Sequence, residues 1–255
     1  MEPIVELKDI RLTYHEPHAE TLAIEDISLA ISEGEFVAIV GPSGSGKTSM
    51  LNILAGLIRP SSGTVRLKGK EVGEPGRGIG YMLQRDQLLD WRDIEGNILL
   101  GLEVKHMLTP ETRARALSLL STYGLNEFRH HYPRQLSGGM RQKVALIRTL
   151  AFDPDLLLLD EPFSALDYQT RLLTSDEVYH IIRRENKTAL LVTHDIAEAI
   201  SMADRVIVFS ERPARVKREI PICLNMELSP IKRRSEPEFQ DYFNTIWKEL
   251  DTHES

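Results

Sequence analysis

A buried strand, a glycine-rich loop and a helix follow one another between residues 36 and 57, and this run constrains the fold more than any other. Phe36–Val40 is an unbroken apolar stretch, typical of a parallel strand buried on both faces. Gly41–Thr48 has the spacing Gly-x-x-x-x-Gly-Lys-Thr, and Ser49–Leu57 continues with apolar residues at helical spacing. The sequence therefore predicts a phosphate-binding loop between a strand and a helix.

The chemistry of a nucleoside triphosphate explains this order of residues. Glycines let the loop backbone turn its N–H groups inward as an anion site, and a helix starting near Lys47 adds the positive end of its dipole. Lys47 would reach the β- and γ-phosphates, and the Thr48 hydroxyl would bind Mg²⁺. A turn that binds nothing would not explain the flanking strand and helix. The expected nucleotide-binding residues are Gly41, Pro42, Ser43, Gly44, Ser45, Gly46, Lys47, Thr48 and Ser49.

Charge and cysteine content narrow the possible partners. Acidic residues outnumber basic ones, 38 to 31, for a net charge of −7, which argues against a nucleic-acid-binding body. Cys223 is the only cysteine, so no internal disulfide can form and a reducing cytoplasm fits. The N-terminus lacks the features of a signal peptide, and no apolar run approaches the ~20 residues that span a bilayer. We therefore expect any membrane role to be peripheral.

Alternating strands and helices predict the fold class. Buried strands are predicted at 155–160, 188–193 and 206–210, and further strands at 4–14, ending at Tyr14, and at 79–83, ending at Gln84. Helices are predicted at 168–185 and 196–203, and the stretch from 85 to about 152 also has a helical pattern. Within that stretch, Thr109 and Pro110 are typical of a helix start and Gly124 of a helix end. The pattern favours an α/β fold with a mostly parallel sheet and helices on both faces.

The tail, residues 221–255, differs from the rest of the chain. Ser235 and Glu238 have the spacing of a capping box, which predicts that a helix begins there. The apolar face of that helix would consist of Phe239, Phe243, Ile246, Trp247 and Leu250. We expect the helix to pack against the chain's own body, with binding to a partner as the alternative.

A second chemical motif lies at the end of another apolar strand. Leu156–Leu159 is followed by Asp160 and Glu161, so the two carboxylates are expected at the carboxyl edge of the sheet, where ligands bind in such folds. Asp160 is suited to hold Mg²⁺, and Glu161 to polarise the water that attacks the γ-phosphate. An acidic helix cap would explain the pair alone, but not its combination with the phosphate loop.

Further motifs resemble those of one family. The run Leu136–Gln142, with sequence LSGGMRQ, resembles the signature motif of the ATP-binding cassette (ABC) ATPases. Ser164–Asp167 resembles the D-loop of that family, Thr193–Asp195 its switch-histidine segment, and Gln84 its Q-loop glutamine. The resemblance covers roughly residues 4–220, with the motifs in the family's order.

Roles follow from this resemblance residue by residue. It implies that Glu161 is the general base, that His194 contacts the γ-phosphate, that Lys47 holds phosphates together with the 43–49 backbone, and that Tyr14 stacks on adenine. The implied catalytic residues are Glu161, His194, Lys47 and Gln84. The implied Mg²⁺ ligands are Thr48, Gln84 and Asp160. The residues implied to bind nucleotide outside the phosphate loop are Tyr14, Asp167 and, for ATP held by a second chain, Ser137, Gly138 and Gly139.

The resemblance also implies an architecture. It is a P-loop core with a mostly parallel sheet, an N-terminal antiparallel β subdomain, and a helical subdomain at about 85–150 within an ATPase domain of residues 1–220. The tail of residues 221–255 would follow this domain. The implied cofactors are ATP and Mg²⁺. The implied partners are a second copy of the chain, membrane permease subunits and, indirectly, a solute-binding protein, with the chain on the cytoplasmic face of the membrane.

Details of the motifs favour one group of importers. Met140 lies where the family most often has Gln. Importers of nitrate, taurine and alkanesulfonates often have Met at this position. The run Leu88–Trp91, with sequence LLDW, resembles their Leu-Leu-Pro-Trp, with Asp90 in place of Pro. Residues 195–199 and 210–213 also match that group. We therefore expect an importer ATPase that would not itself touch the solute.

Three other functions agree less well with the motifs. A soluble ABC-type ATPase of translation would usually carry two cassettes, and this chain has one phosphate loop and one signature. An ATPase of DNA repair would carry a long coiled coil between those motifs, and residues 49–136 contain no such heptad run. A P-loop kinase would leave 136–142, 164–167 and His194 unexplained. These alternatives are less favoured than the importer.

Overall fold

A computed structural model describes residues 3–16, 19–76 and 78–251. Its strands are β1 (Val5–Glu16), β2 (Ala19–Ile31), β3 (Phe36–Val40), β4 (Ser62–Leu67), β5 (Lys70–Glu71), β6 (Ile79–Met82), β7 (Leu156–Asp160), β8 (Thr188–Val192), β9 (Arg205–Phe209) and β10 (Ala214–Pro221). Its α-helices are α1 (Lys47–Leu54), α2 (Ile94–Val104), α3 (Pro110–Thr122), α4 (Gly138–Leu150), α5 (Tyr168–Arg184), α6 (Ile196–Met202), α7 (Pro230–Arg233) and α8 (Phe239–Leu250). Short 3₁₀ turns occur at Asn126–Phe128 and Pro133–Gln135.

The described strands join in one ten-stranded sheet, in the order β5-β4-β1-β2-β10-β9-β3-β8-β7-β6. Strands β9, β3, β8, β7 and β6 run parallel to one another. Strands β1, β2, β4 and β5 are antiparallel. The α/β fold class, with its parallel core and antiparallel N-terminal part, is therefore confirmed.

Strand β3 shows why the core of the sheet reads as unbroken apolar sequence. All five of its residues are buried, and successive side chains point to opposite faces of the sheet. Phe36, Ala38 and Val40 enter the apolar core beneath α4, α5 and α6, whereas Val37 and Ile39 enter the core beneath α1. Strand β3 thus lies between two hydrophobic cores. This packing fixes the position of the phosphate loop that follows the strand.

Helices α2, α3 and α4 pack together in the interval where the sequence predicted helices. The predicted cap is confirmed in α3: the Thr109 hydroxyl accepts a hydrogen bond from the Thr112 N–H, and Pro110 is the first helical residue. Gly124 follows the helix with φ of 71°, a left-handed conformation that glycine adopts without strain. The limits of this region as a subdomain, about 85–150, remain a prediction, as do the other domain boundaries.

Strand β10 was not predicted, although it joins the two halves of the sheet. It pairs parallel with β2 and antiparallel with β9. Its sequence, ARVKREIP, alternates charged and apolar residues and lies on a mostly exposed part of the sheet. The strand forms because β2 and β9 both leave backbone N–H and C=O groups unpaired beside it. These strands are distant in sequence, so local patterns do not reveal the pairing.

The predicted capping box of the tail is wrong. Helix α8 begins at Phe239, and its N-cap residue, Glu238, makes no side-chain capping hydrogen bond. Ser235 instead lies in the turn that closes α7, where its N–H donates to the Lys232 carbonyl. The reason is Arg233, whose fully buried guanidinium holds residues 230–235 in a separate short helix and turn.

The apolar face of α8 packs on the body of the chain, as predicted, with one exception. Phe239 and Ile246 are buried, and Phe243 and Leu250 pack beside them against the core. Trp247 is 56% exposed and stacks on Phe243, with 6.2 Å between the ring centroids. Among the helices described, none has the length and apolar character needed to cross a membrane.

Candidate nucleotide-binding site

A cleft of about 490 Å³ opens at the carboxyl ends of β3 and β7. Its floor is the phosphate loop, and its walls come from β1, β2, the end of β6 and the loop after β9. It is lined by Tyr14, Thr21, Ala23, Ser43, Gly44, Ser45, Gly46, Lys47, Thr48, Ser49, Gln84, Asp160, Glu161 and Arg212. Residues predicted from two separate motifs, the phosphate loop and the acidic strand end, therefore face the same space.

The backbone of the loop is shaped by glycine. Gly44 and Gly46 have φ values of 74° and 91°, and Gly46 is the N-cap of α1. A Cβ at Gly46 would lie 3.1 Å from the Ala23 carbonyl oxygen, so a side chain there would meet both strain and crowding. The free N–H groups of the first turn of α1 and the positive end of its dipole suit this loop to a phosphate anion.

Lys47 is held within the loop that it follows. Its Nζ donates to the carbonyl oxygens of Gly41 and Pro42, at 2.8 and 2.7 Å, and lies 3.3 Å from the Ser45 hydroxyl. Burial lowers the pKa of the Lys47 ammonium, and the charges of Glu161 and Asp160 act in the opposite direction. A phosphate would supply the negative charge that the buried ammonium lacks among its present neutral partners.

Asp160 lies at the other side of the floor, beside Thr48. The Thr48 hydroxyl donates to Asp160 Oδ1 over 3.3 Å, and the Tyr81 hydroxyl lies 3.4 Å from Asp160 Oδ2 and 3.2 Å from Asn52 Oδ1. Burial raises the pKa of the Asp160 carboxyl. A cation here would offset the energetic cost of burying the ionised carboxylate, because it would supply the opposite charge that stabilises it.

Oxygen atoms that line the cleft fit Mg²⁺. Thr48, Asp160 and the Gln84 amide offer a hydroxyl, a carboxylate and a carbonyl oxygen, and Mg²⁺ prefers such ligands. In the described part of the chain, no group of three or more His, Cys, Asp and Glu side chains could hold a metal ion. Mg²⁺ is commonly bound through one or two carboxylates together with substrate phosphates, so a site with one close carboxylate fits.

Glu161, Gln84 and His194 form a polar cluster at the mouth of the cleft. Gln84 Nε2 donates to Glu161 Oε2 over 3.3 Å, and His194 Nδ1 lies 3.3 Å from the same oxygen. Ser164 hydrogen-bonds the Glu161 carbonyl at 3.0 Å. Glu161 has φ of 45°, an unusual conformation for a residue with a side chain, and such strain is concentrated at functional positions.

Tyr14 lines the cleft from the end of β1. Its hydroxyl donates to Ser49 Oγ over 3.0 Å, which ties the end of β1 to the first turn of α1. The ring is half-buried and lines the cleft. Tyr14 therefore shares the cleft with the phosphate loop, beside the first turn of α1.

The signature turn, which we define as Ser137–Gly139 together with Asp167, does not line the cleft. The Ser137 hydroxyl accepts from the Met140 N–H over 3.3 Å and caps α4, and the Asp167 carboxylate accepts from the Thr170 N–H over 3.1 Å and caps α5. Hydrogen bonds from the Thr170 side chain and then from its N–H lower the pKa of Asp167. A Cβ at Gly139 would come within 2.5 Å of Thr174 Oγ1, because α4 packs closely on α5 there.

Sequence reasoning missed several residues of the cleft. Thr21, Ala23 and Arg212 line it, and Tyr81 touches Asp160 from behind. Tyr81 lies on β6, three residues before Gln84, but nothing in the local sequence indicates that β6 lies beside β7. Arg212 lies in the run 210–213, whose match to the importer group was the only signal.

Comparisons with known proteins agree with this geometry. The family model described as ABC transporter matches residues 24–164. The uncharacterised ABC transporter ATP-binding protein YtlC of Bacillus subtilis is 48% identical, over 95% of this chain and 94% of its own. The taurine import ATP-binding protein TauB of Yersinia pestis is 42% identical, over 85% of this chain and 87% of its own.

Solved structures give the same result. The ATP-binding cassette MJ0796, described as a dimer in a post-hydrolysis state bound to ADP and phosphate, has a TM-score of 0.73 and 34% sequence identity. The match covers 86% of this chain and 98% of that structure. The fold, the cleft and the comparisons together identify the chain as a member of the ABC transporter family, an ATP-binding cassette of the kind that hydrolyses ATP.

Proposed function

We propose that this chain powers a membrane importer for a small solute such as nitrate, a sulfonate or taurine, by hydrolysing ATP at the cleft. The observation that carries the proposal is the convergence of Lys47, Asp160 and Glu161 on one cleft. The taurine import relative supports the direction of transport. The solute itself remains open within this class.

In this proposal, the residues of the cleft divide the work on the nucleotide. Tyr14 stacks on adenine, and Lys47 holds the phosphates together with the loop backbone. Glu161 accepts a hydrogen bond from the attacking water and orients it toward the γ-phosphate, and His194 contacts that phosphate. The contacts of Gln84 and His194 with Glu161 Oε2 support these roles, because they place the carboxylate where a water could lie beside it.

We assign the Mg²⁺ ligands to Thr48, Gln84 and Asp160. When bound, Mg²⁺ would neutralise phosphate charge during transfer. Thr48 and Asp160 already hydrogen-bond each other, so their oxygen atoms lie close enough together to bind one cation. Tyr81 would continue to hold the second oxygen of Asp160.

We propose that the active unit is a two-fold dimer of ATPase subunits. Ser137, Gly138 and Gly139 would bind the γ-phosphate of ATP held by a second copy, with Asp167 beside them. Their separation from the cleft of their own chain supports this arrangement, as does the dimeric form of the related cassette MJ0796. A dimer with this symmetry would contain two composite sites.

We further propose that a helix of a membrane permease docks beside Gln84, on the cytoplasmic face of the membrane. Trp91 is 75% exposed, so it does not pack within the core of its own helical region and is open to a partner. Arg148 donates to the carbonyl oxygens of Asp86 and Gln87, each over 2.7 Å. These bonds link the surface to α4, so a helix pressing there could move both Gln84 and the signature turn.

The surface near Trp91 can be tested with a matched tryptophan control. The tagged full-length chain is purified from solubilised membranes of its own source organism, and the bound proteins are identified by mass spectrometry. An integral membrane permease should be recovered with the parent and with Trp247→Ala, and lost with Trp91→Ala, while ATP binding stays at the parental level. Recovery of ribosomal or DNA-repair proteins in place of a permease would favour the soluble alternative, and equal recovery with Trp91→Ala would exclude this docking surface.

A further inference from the structure

Arg212 lines the nucleotide cleft but has no role in the proposal above. It belongs to the loop between β9 and β10. Its Nε donates to the Gly44 carbonyl oxygen over 3.2 Å, and one of its terminal nitrogens lies 3.3 Å from the position that a Cβ at Gly44 would take. The guanidinium therefore lies directly against the rim of the phosphate loop.

The loop that carries Arg212 is built against the phosphate loop rather than hanging free. The Ser210 hydroxyl lies 2.8 Å from the Glu211 carbonyl oxygen and accepts from the Arg215 N–H over 3.0 Å. Ala214 is buried, and a Cβ at Gly46 would lie 3.3 Å from the Ala214 Cβ. The backbone on both sides of Arg212 is thus fixed, which limits the guanidinium to the neighbourhood of the cleft.

The charge of Arg212 lacks a counterpart. Within the residues that the structure describes, no carboxylate lies within ion-pairing distance of Arg212, whereas the nearby Arg215 has a nitrogen 2.8 Å from Glu25 Oε2. The side chain of Arg212 is exposed, so its remaining N–H groups are open to solvent and to a ligand. A guanidinium presents five donors in a planar fork that fits two phosphate oxygens at once.

The other basic residue of the cleft lining cannot supply this contact alone. Lys47 is buried, already bonds two loop carbonyls and lies among the charges of Asp160 and Glu161. A nucleotide brings several negative charges into the same cleft. An unpaired guanidinium at the rim is therefore complementary to the ligand, and the Gly44 carbonyl holds it in place.

We infer that Arg212 is a nucleotide-binding residue that contacts the α- and β-phosphates of ATP and ADP. This inference rests on the proposed role of the cleft. Its location favours these two phosphates, because Arg212 touches Gly44, and the glycine-rich backbone of such loops cradles the α- and β-phosphates. The contact would be a charge-assisted hydrogen bond, and it is separate from the metal and from Glu161.

The test compares three variants of the full-length chain by calorimetric titration with Mg²⁺-ADP. Arg212→Gln keeps a donor for the Gly44 carbonyl but removes the charge, and Arg212→Lys keeps the charge. Arg215→Gln removes an exposed arginine nearby that is paired with Glu25. We expect affinity to fall about tenfold in Arg212→Gln, to be largely retained in Arg212→Lys, and to be unchanged in Arg215→Gln. Mg²⁺-ATP, measured in a Glu161→Gln background, should show the same loss.

Two further readings separate a phosphate contact from a structural brace. The parent's affinity should decline more steeply with salt concentration than that of Arg212→Gln, while the melting temperatures without nucleotide should agree. If Arg212→Gln binds ADP as tightly as the parent, Arg212 only braces the loop and the inference is wrong. A loss with ATP and none with ADP would also overturn it. If the parent itself binds neither nucleotide, the proposed role of the cleft has failed instead.

Discussion

The cleft and the signature turn differ in how their polar groups are used. In the cleft, Thr48 and Asp160 contact each other, as do Gln84 and Glu161, and all face open space. In the signature turn, Ser137 and Asp167 cap the helices that they precede, and Gly139 is buried where α4 meets α5. One chain thus assembles a binding space at the first region but only a surface at the second.

Because each region is incomplete alone, two chains can together form a complete site. The signature turn lies at the N-terminus of α4, where unpaired backbone N–H groups and the helix dipole favour an anion. Its own chain brings no phosphate there. A second copy placed head to tail would bring one, because its cleft would hold ATP with the γ-phosphate toward the opening.

The largest effect is expected from a change in the cleft alone. Glu161→Gln replaces the carboxylate with an amide of nearly the same shape, so contacts to phosphate and Mg²⁺ should survive while general-base help is lost. Hydrolysis should fall about 10²–10⁴-fold. ATP should then persist between two chains, which a phosphate-release assay and size-exclusion chromatography with Mg²⁺-ATP would detect as a stable, inactive dimer.

A neighbouring substitution provides the control. Asp160→Asn removes a charge from the proposed metal site, so it should weaken Mg²⁺-ATP binding itself and yield no stable dimer. If Glu161→Gln hydrolysed ATP at close to the parental rate, Glu161 would not have the role proposed here.

The second effect tests whether the two regions act across chains. A Lys47→Ala chain has a damaged cleft, and a Ser137→Ala chain has a damaged signature turn. Mixed in equal amounts, they should form dimers of which half contain one intact composite site, so activity should recover to about a quarter of the parental value. The measurement is ATPase activity of the mixture against each variant alone. No gain on mixing would argue against a site shared between chains.

The third effect concerns the connection between the regions. Glu198 lies on α6, the helix that follows His194, and Asp195 at its start is 3.6 Å from Arg171 on α5. Burial raises the pKa of Glu198 from 4.5 to about 7; the Asp195 charge adds to this, while a hydrogen bond from Thr193 and the charges of Arg171 and Arg234 oppose it. In the unfolded chain the carboxyl would ionise near its ordinary value.

The sign of the pH dependence follows from this difference. Between about pH 4.5 and 7 the folded chain keeps the Glu198 proton and the unfolded chain loses it, so stability is full at the acidic end and falls as pH rises. Glu198→Gln should remove this loss. Between about pH 4.5 and 7, the unfolding free energy of the variant should therefore rise by about 3 kcal/mol relative to that of the parent. Urea unfolding at a series of pH values measures it, and a difference that does not change with pH would contradict it.

The smallest effect separates the structural from the catalytic use of the signature turn. Ser137→Ala removes the cap of α4 and should lower the unfolding free energy by about 1 kcal/mol. Thr109→Ala removes the cap of α3 and should lower it by a similar amount. Only Ser137→Ala should also reduce ATP hydrolysis, measured at a temperature where both variants remain folded. Equal hydrolysis in the two variants would leave Ser137 with a capping role only.

Much of the cleft could be predicted because its chemistry is local in sequence. The phosphate loop is one continuous segment, and Asp160 and Glu161 end a strand whose apolar run is plain to read. Tyr14 and Gln84 also end or follow predicted strands. Arg212 and Tyr81 could not be predicted, because each reaches the site through pairing between strands that are far apart in the chain.

In the tail, local sequence patterns predicted the structure less well than in the cleft. Its helical periodicity correctly indicated which face of α8 would be buried, but Ser235 and Glu238 matched a capping pattern that the fold does not use. The competing contact is Arg233, whose guanidinium donates to the carbonyl oxygens of Ser201 and Met226. A short motif predicts a helix start only where no stronger tertiary contact holds the same residues.

The sequence alone determined the reaction class and most of the order of strands and helices, since the spacing of residues in a loop and the hydrophobic period of a segment are local properties. Tertiary structure decided which motifs share a space. It brought Gln84, Glu161 and His194 within hydrogen-bonding distance and left Ser137 and Asp167 outside the cleft. The reason is that the parallel strands place their carboxyl ends at one edge of the sheet, whereas Ser137 and Asp167 are held as the N-caps of α4 and α5, which pack against each other outside the cleft lining.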